Sequence, residues 1–295
     1  MAITASQVKE LREITGAGMM DCKKALVATD GDVKKAIDWL REKGISKAAK
    51  KEGRTAADGL SKVVVNGNRA VIVELNSETD FVAKNEKFLG LLDDCVNAIM
   101  NSNVKTLDEA LALKSGEGTL KDEIISATAI IGEHIALRRF AIVEKQDDEI
   151  FGTYMHNNGV ISAVCVVKGT ADAQIAKNMA MQIASMSPSY VSRKDMPQDI
   201  VNHEREIQQQ LVSNDESLAN KPEKVKAGIV EGRLSKSLQD MCLVDQIFFL
   251  DPEKKCGEYL KENNAEVVTF VKYKVGEGIE KKAENFAEEV AAMAK

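Results

Sequence analysis

The chain is poor in the residues that most catalytic and metal chemistry depends on. Among 295 residues there are three histidines, His134, His156 and His203, and none stands at ligand spacing from a second histidine or a cysteine. The five cysteines, Cys22, Cys95, Cys165, Cys242 and Cys256, are odd in number, scattered, and form no C-x-x-C pair. That argues against a disulfide framework or a zinc site and favours a reducing compartment, the cytoplasm. No apolar run approaches the roughly 20 residues that cross a bilayer, and no apolar stretch follows a basic N-terminal region, so a soluble chain without a secretion signal is expected. G-x-x-x-x-G-K-[ST] and G-x-S-x-G are absent, and neither Gly116-Glu117-Gly118 nor Gly276-Glu277-Gly278 extends to a dinucleotide fingerprint. The expectation is therefore no cofactor, no metal, no catalytic residue and no enzyme activity. An unrecognised catalytic site is kept as an alternative without a motif behind it.

Aromatic residues make up 4% of the chain, too few to interleave with cations as single-strand nucleic-acid binders do. Net charge is -6, against a surface that tracks a phosphate backbone throughout. The charge is uneven. Residues 1–54 carry twelve Lys and Arg against eight Asp and Glu, leaving 28 against 38 for the rest. A basic N-terminal module on an acidic body suits contact with RNA or with an acidic protein face, and equally a solvated helix surface.

Enough apolar residues are present, 44%, for a substantial core divided into two or three domains. The first fifty residues read as three short helices. Thr4 and Gln7 have capping-box spacing ahead of Val8, Leu11 and Ile14, and Gly16 and Gly18 break that helix. Met19 to Thr29 forms the second. Asp32 caps the third, with Val33, Ile37 and Leu40 on one face and Gly44 where a C-terminal cap belongs. Ile45 to Arg54 reads as a basic helical linker.

From Asp58 the period changes to two. Leu60–Val65 and Ala70–Leu75 flank the turn Asn66-Gly67-Asn68 and predict a hairpin. Helices follow at about Val82–Met100, Thr106–Leu113 and Thr119–Ile131, then a strand over His134–Glu144. The order recurs: Phe151–His156, the turn Asn157-Asn158-Gly159, Val160–Lys168, a helix over Ala171–Met186, and a strand over Glu266–Val275. Thr79-Asp80 and Thr170-Ala171-Asp172 open the helices at matching places, which indicates a duplicated unit.

The second copy holds an insertion of two polar helices around the breaker Ser213–Pro222. Ile200, Ile207 and Leu211 on one arm and Val225, Ile229 and Leu234 on the other make narrow seams suited to an antiparallel pair. Such an arm serves for dimerisation, for binding a partner, or simply as a solvated projection. A short amphipathic helix with Phe286, Val290 and Met293 on one stripe is predicted over Ala283–Ala294.

The fold class expected is thus α+β. An N-terminal three-helix module with its linker (1–54) precedes core subdomains N (55–148) and C (149–196 with 241–278), an inserted helical hairpin (197–240) and a C-terminal helical module (279–295). The two subdomains are duplicates built on antiparallel sheets.

Apolar residues stand where polar ones are expected in Asn76-Ser77-Glu78-Thr79-Asp80-Phe81-Val82. Phe81 falls in the first turn of the predicted helix, either packing back on its own core or offered to a partner as a wedge. Met19 and Met20, at a helix start, pose the same choice.

These residues carry a resemblance. The run Leu11-Arg12-Glu13-Ile14-Thr15-Gly16-Ala17-Gly18-Met19-Met20-Asp21-Cys22-Lys23-Lys24-Ala25-Leu26 resembles the N-terminal signature of the elongation factor Ts family, and Glu74-Leu75-Asn76-Ser77-Glu78-Thr79-Asp80-Phe81-Val82-Ala83-Lys84 its second signature. The likeness continues through Ile131-Gly132-Glu133, Gly152-Thr153-Tyr154-Met155-His156, Val230-Glu231-Gly232-Arg233 and Val275-Gly276-Glu277-Gly278-Ile279-Glu280-Lys281, in order along the whole chain. The resemblance implies an N-terminal module of the ubiquitin-associated type and a guanine-nucleotide exchange factor acting on the GTPase elongation factor Tu. It further implies that Thr79, Asp80, Phe81 and Val82 enter the partner's G domain, with Phe81 disturbing the Mg²⁺ and phosphate site. Met19, Met20, Ile131, Gly132 and His156 are implied as further contacts, with no nucleic acid required and a homodimer through the helical hairpin left open. An RNA-associated translation accessory protein is the alternative.

Overall fold

The computed structural model describes residues 3–280. The helix expected over Ala283–Ala294 lies outside the described residues.

Three helices open the chain: α1 (Ala5–Thr15), α2 (Met19–Ala28) and α3 (Val33–Ala49). The Thr4–Gln7 capping box forms in both directions, and Gly16 ends α1 in the left-handed conformation. Val8, Leu11, Cys22, Ala25, Leu26 and Ala36 close a small core. Gly44 does not cap α3, contrary to the sequence reading, and the helix runs on to Ala49. At Gly44 the helix passes α6 (Leu120–Ile131), and a Cβ placed there would stand 3.4 Å from the Ala129 Cβ. The glycine lies in the contact between α3 and α6 and does not end the helix.

Subdomain N consists of β1 (Asp58–Asn66), β2 (Arg69–Ser77), α4 (Glu86–Met100), the short α5 (Leu107–Leu111), the two-residue strands β3 (Lys114–Ser115) and β4 (Gly118–Thr119), α6, and β5 (Ala136–Glu144). Subdomain C follows as β6 (Ile150–His156), β7 (Ile161–Lys168), α7 (Ala173–Met186), the arm α8 (Gln198–Ser213) and α9 (Glu223–Met241), β8 (Ile247–Phe248), β9 (Asp251–Lys255), α10 (Cys256–Glu262) and β10 (Glu266–Lys274).

The duplication extends to topology. One antiparallel sheet has the order β1-β2-β5 and the other β6-β7-β10, so each hairpin receives its third strand beside the second. In both third strands a bulge displaces the third residue: Arg138 in β5, where register passes from Leu137 to Arg139, and Val268 in β10, where it passes from Val267 to Thr269.

The sheets stack face to face with helices outside. Val71, Val73 and Leu75 of β2 face α4 and α6, while Ala70 and Ile72 face the other sheet across a core with Val63, Val143, Val164, Val166 and Tyr273. β7 divides the same way, with Ala163, Cys165 and Val167 under α7. Being covered on both faces, β2 and β7 read as nearly continuous apolar runs rather than alternating ones. The Ser61 hydroxyl donates to the Gly159 carbonyl at 2.7 Å and meets the Ser162 hydroxyl at 2.8 Å, satisfying these buried polar groups between the sheets.

In the arm, Leu234 and Leu238 pack with Met196, Ile200 and Val201. Farther out, Ile207, Leu211 and Val225 stay exposed.

Candidate functional site

The strand β2 ends at Ser77, and the chain then turns sharply before α4. The turn is not the first turn of that helix. Residues Val82–Lys84 form a separate 3₁₀ turn, and Asn85 caps α4 by accepting the Lys87 N–H. This break directs the residues on either side of Phe81 differently. Val82 and Ala83 are buried in the core beneath α4, whereas Phe81 is 79% exposed. The core-packing alternative for Phe81 is therefore excluded. Its ring has a cation at one side, Lys84 Nζ at 5.8 Å, and Lys84 also pairs with Asp80 at 2.8 Å.

The turn is held by a second loop, between α6 and β5. Glu133 accepts the Thr79 N–H at 3.0 Å on one carboxylate oxygen and the Thr79 hydroxyl at 2.7 Å on the other. The favour is returned from the first loop, where Glu78 accepts the His134 N–H at 2.6 Å. Ser77, fully buried, donates its hydroxyl to the Thr79 carbonyl at 2.9 Å. Hydrogen bonds to ionised acceptors are among the stronger ones, so the two loops form one crossed clamp.

Gly132 caps α6 at φ 92°, a left-handed conformation that disfavours a side chain, and lies exposed beside half-buried Ile131. Its carbonyl accepts from Lys51 Nζ. Arg54 pairs with Glu78 at 3.4 Å, and its own carbonyl lies 2.8 Å from His134 Nδ1. Because a carbonyl only accepts, this contact is a hydrogen bond in the tautomer with a proton on Nδ1. The end of the three-helix module is thus fastened to both loops.

The α1–α2 turn approaches the same region. Lys87 Nζ, at the start of α4, donates to the Gly16 carbonyl at 3.5 Å, and Ile130 of α6 lies alongside Gly16. Three residues on, Met19 and Met20 are 48% and 62% exposed, so neither fills the module's core. Thr79–Val82 and the Ile131–Gly132 loop are in this way brought together, and the α1–α2 turn lies against the start of α4 and Ile130. His156 stands apart from them, at the end of β6 in subdomain C, exposed and 3.2 Å from the Tyr154 hydroxyl.

Glu78 and Glu133 stand in the runs that carry the resemblance and Lys51 and Arg54 in the basic linker, but sequence reasoning gave none of them a role at the site. Isolated carboxylates and lysines on helix ends look like solvated charges, and no local pattern links residue 79 to residue 133. Among the described residues no group of three or more His, Cys, Asp or Glu is placed to hold a metal ion. The thiols of Cys95, Cys165 and Cys256 are each pushed up to about 12 by burial, the opposite of an activated nucleophile. No described helix is long and apolar enough to cross a membrane.

Comparison with known proteins gives a consistent result. The family described as elongation factor TS matches residues 78–277. A relative from Acholeplasma laidlawii (strain PG-8A), named elongation factor Ts, is 50% identical over 294 residues, covering 99% of each chain.

Proposed function

The chain belongs to the elongation factor Ts family, and from that membership we propose that it is a guanine-nucleotide exchange factor, which binds elongation factor Tu and promotes release of GDP. The observation that carries the mechanistic part is an aromatic side chain 79% exposed on a turn anchored at both ends, by Thr79 and by Val82. A large apolar group in water on a preorganised turn loses little freedom on entering a partner and gains its full burial there.

In this reading Thr79, Asp80, Phe81 and Val82 form the segment that enters the G domain, and Phe81 wedges beside the site of Mg²⁺ and the GDP phosphates. Ile131 and Gly132 extend that surface, Met19 and Met20 dock the N-terminal module, and His156 touches a more distant domain of the GTPase. No acid, base or nucleophile is required. If the factor binds the nucleotide-free GTPase more tightly, GDP binds the complex more weakly by the same factor. Displacing Mg²⁺ removes the main charge compensation of the diphosphate, so a small mechanical shift has a large effect on release.

The test is release of a fluorescent GDP analogue from elongation factor Tu at fixed Mg²⁺, with the factor present in catalytic amounts. Acceleration is expected, and Phe81→Ala should reduce it by roughly thirtyfold or more, the effect of losing an interface anchor worth about 2 kcal/mol. The same variant should unfold within about 0.6 kcal/mol of the parent, since only about a fifth of the ring's burial energy is at stake. No acceleration by the unmodified chain would overturn the exchange function.

A further inference from the structure

Phe81 is not packed into the core. Its ring is exposed, and the cation beside it, Lys84, is itself on the surface. What determines where the ring points is the backbone of residues 79–82. On the C-terminal side this backbone is tied to the core by Val82. On the N-terminal side it is tied by the two bonds from Thr79 to Glu133 and by the Ser77 hydroxyl, which donates to the Thr79 carbonyl. The Thr79 hydroxyl, while donating to Glu133, also lies 3.5 Å from the Val82 N–H, so it closes the turn from within.

Resting on the exchange reading above, we propose that Glu133 is a positioning residue for Phe81: its carboxylate, by binding the Thr79 N–H and hydroxyl together, holds the turn in the conformation that presents the ring. Glu133 sits at the loop after α6, and that loop is itself held in place by Glu78, which binds the His134 N–H, and by Lys51, which binds the Gly132 carbonyl. The two loops thus hold each other, and the Glu133 carboxylate is the part of this clamp that grips Thr79 directly. Without it the turn samples other conformations in the free protein, and the ordering cost falls on the encounter with the GTPase.

Restoring one to two residues' worth of backbone order on binding corresponds to about tenfold to a hundredfold in exchange efficiency. Glu133→Ala should lower kcat/KM for GDP release by about that factor. Glu133→Gln should recover most of it, because the amide oxygen accepts the Thr79 N–H while the amide nitrogen donates to the Thr79 hydroxyl. Glu133→Asp keeps the charge but withdraws the carboxylate by one methylene, and should behave like Glu133→Ala. It serves as the test variant if alanine compromises folding.

The deciding experiment is a double-mutant cycle. Exchange is measured for the unmodified chain, Glu133→Ala, Phe81→Ala and the pair, with amide hydrogen exchange at residues 79–82 followed in the free proteins. A residue that acts mainly through Phe81 loses most of its effect once the ring is gone, so Glu133→Ala should cost much less in the Phe81→Ala background than in the unmodified chain. Protection at 79–82 should fall while that of β2 and β5 stays. An equal loss in both backgrounds, as a direct partner contact or a general stability effect would give, overturns the positioning role. So does an unchanged rate in Glu133→Ala beside an impaired Phe81→Ala. An unimpaired Phe81→Ala would instead overturn the wedge reading itself.

Discussion

Glu74 offers the sharpest test of how the two subdomains are joined. Its side chain is fully buried in β2, four residues before Glu78, and makes three charge-assisted contacts. One oxygen accepts from Arg138 at 2.9 Å and from the Gly276 N–H at 2.9 Å, and the other accepts from Arg139 Nε at 2.5 Å. The arginines reach onward: Arg138 to the Glu277 carbonyl, Arg139 to the Lys274 carbonyl at 3.1 Å, with its guanidinium 4.2 Å over the Tyr273 ring. One carboxylate thus links β2, the bulged start of β5, and the chain leaving β10 in the other subdomain. Removing one partner of a buried ionic group costs about 3–5 kcal/mol. Here both guanidiniums are partly open to water, at 25% and 30% side-chain exposure, so the lower end applies, about 3 kcal/mol for Glu74→Ala. Glu74→Gln should be almost as costly, about 2 kcal/mol, although its shape is unchanged. Its oxygen can still serve Arg138 and the Gly276 N–H, but its amide nitrogen then faces the Arg139 Nε donor, and Arg138 loses the carboxylate it pairs with while Arg139 keeps only Glu277 at 3.6 Å. The assay is urea unfolding of the three proteins at neutral pH, read from midpoints at constant slope. A Glu74→Gln protein within about 0.5 kcal/mol of the parent would refute the argument, because it would mean that geometry rather than charge holds the link.

Two further outcomes follow from buried positions. Gly152 lies in β6 directly under α7, where an added Cβ would overlap the Ala176 carbonyl and stand 2.9 Å from Cys165 Sγ; Gly152→Ala should therefore cost about 1–3 kcal/mol in the same unfolding assay, and a neutral result would show that α7 can lift off the sheet freely. At alkaline pH the thiols of Cys95, Cys165 and Cys256 keep their protons in the fold, being raised from 9.0 to about 12, while in the unfolded chain they ionise from about pH 9. The unfolded state then binds fewer protons, so stability is intact below pH 9 and falls as pH rises from there toward 12, by about 1 kcal/mol per thiol at pH 10. Urea midpoints that do not move between pH 8 and pH 10 would contradict this.

Much of the architecture was legible in local patterns. The Thr4–Gln7 box and the Asp32 cap start helices where the sequence reading put them, because capping is decided within four residues. The turn Asn66-Gly67-Asn68 between two apolar runs made the first hairpin readable, and the repetition of strand, turn, strand and helix made the duplication readable. Where local and long-range requirements diverge, the pattern misled. Gly44 looks like a cap, yet it sits within α3, where the helix packs against Ala129 of α6. The helix expected from Val82 is broken at Asn85 because the core draws in Val82 and Ala83 before α4 begins. The candidate site divides along the same line. By itself the sequence determined the elements, their order, and the motif in which Phe81 stands. Only the tertiary structure decided that Phe81 faces water, that Glu133 and Thr79 meet across 54 residues of chain, and that Glu74 is sealed between two subdomains. Periodicity and capping are properties of neighbours along the chain, whereas exposure and hydrogen-bond partners depend on which distant segments close over a residue once the two sheets have packed.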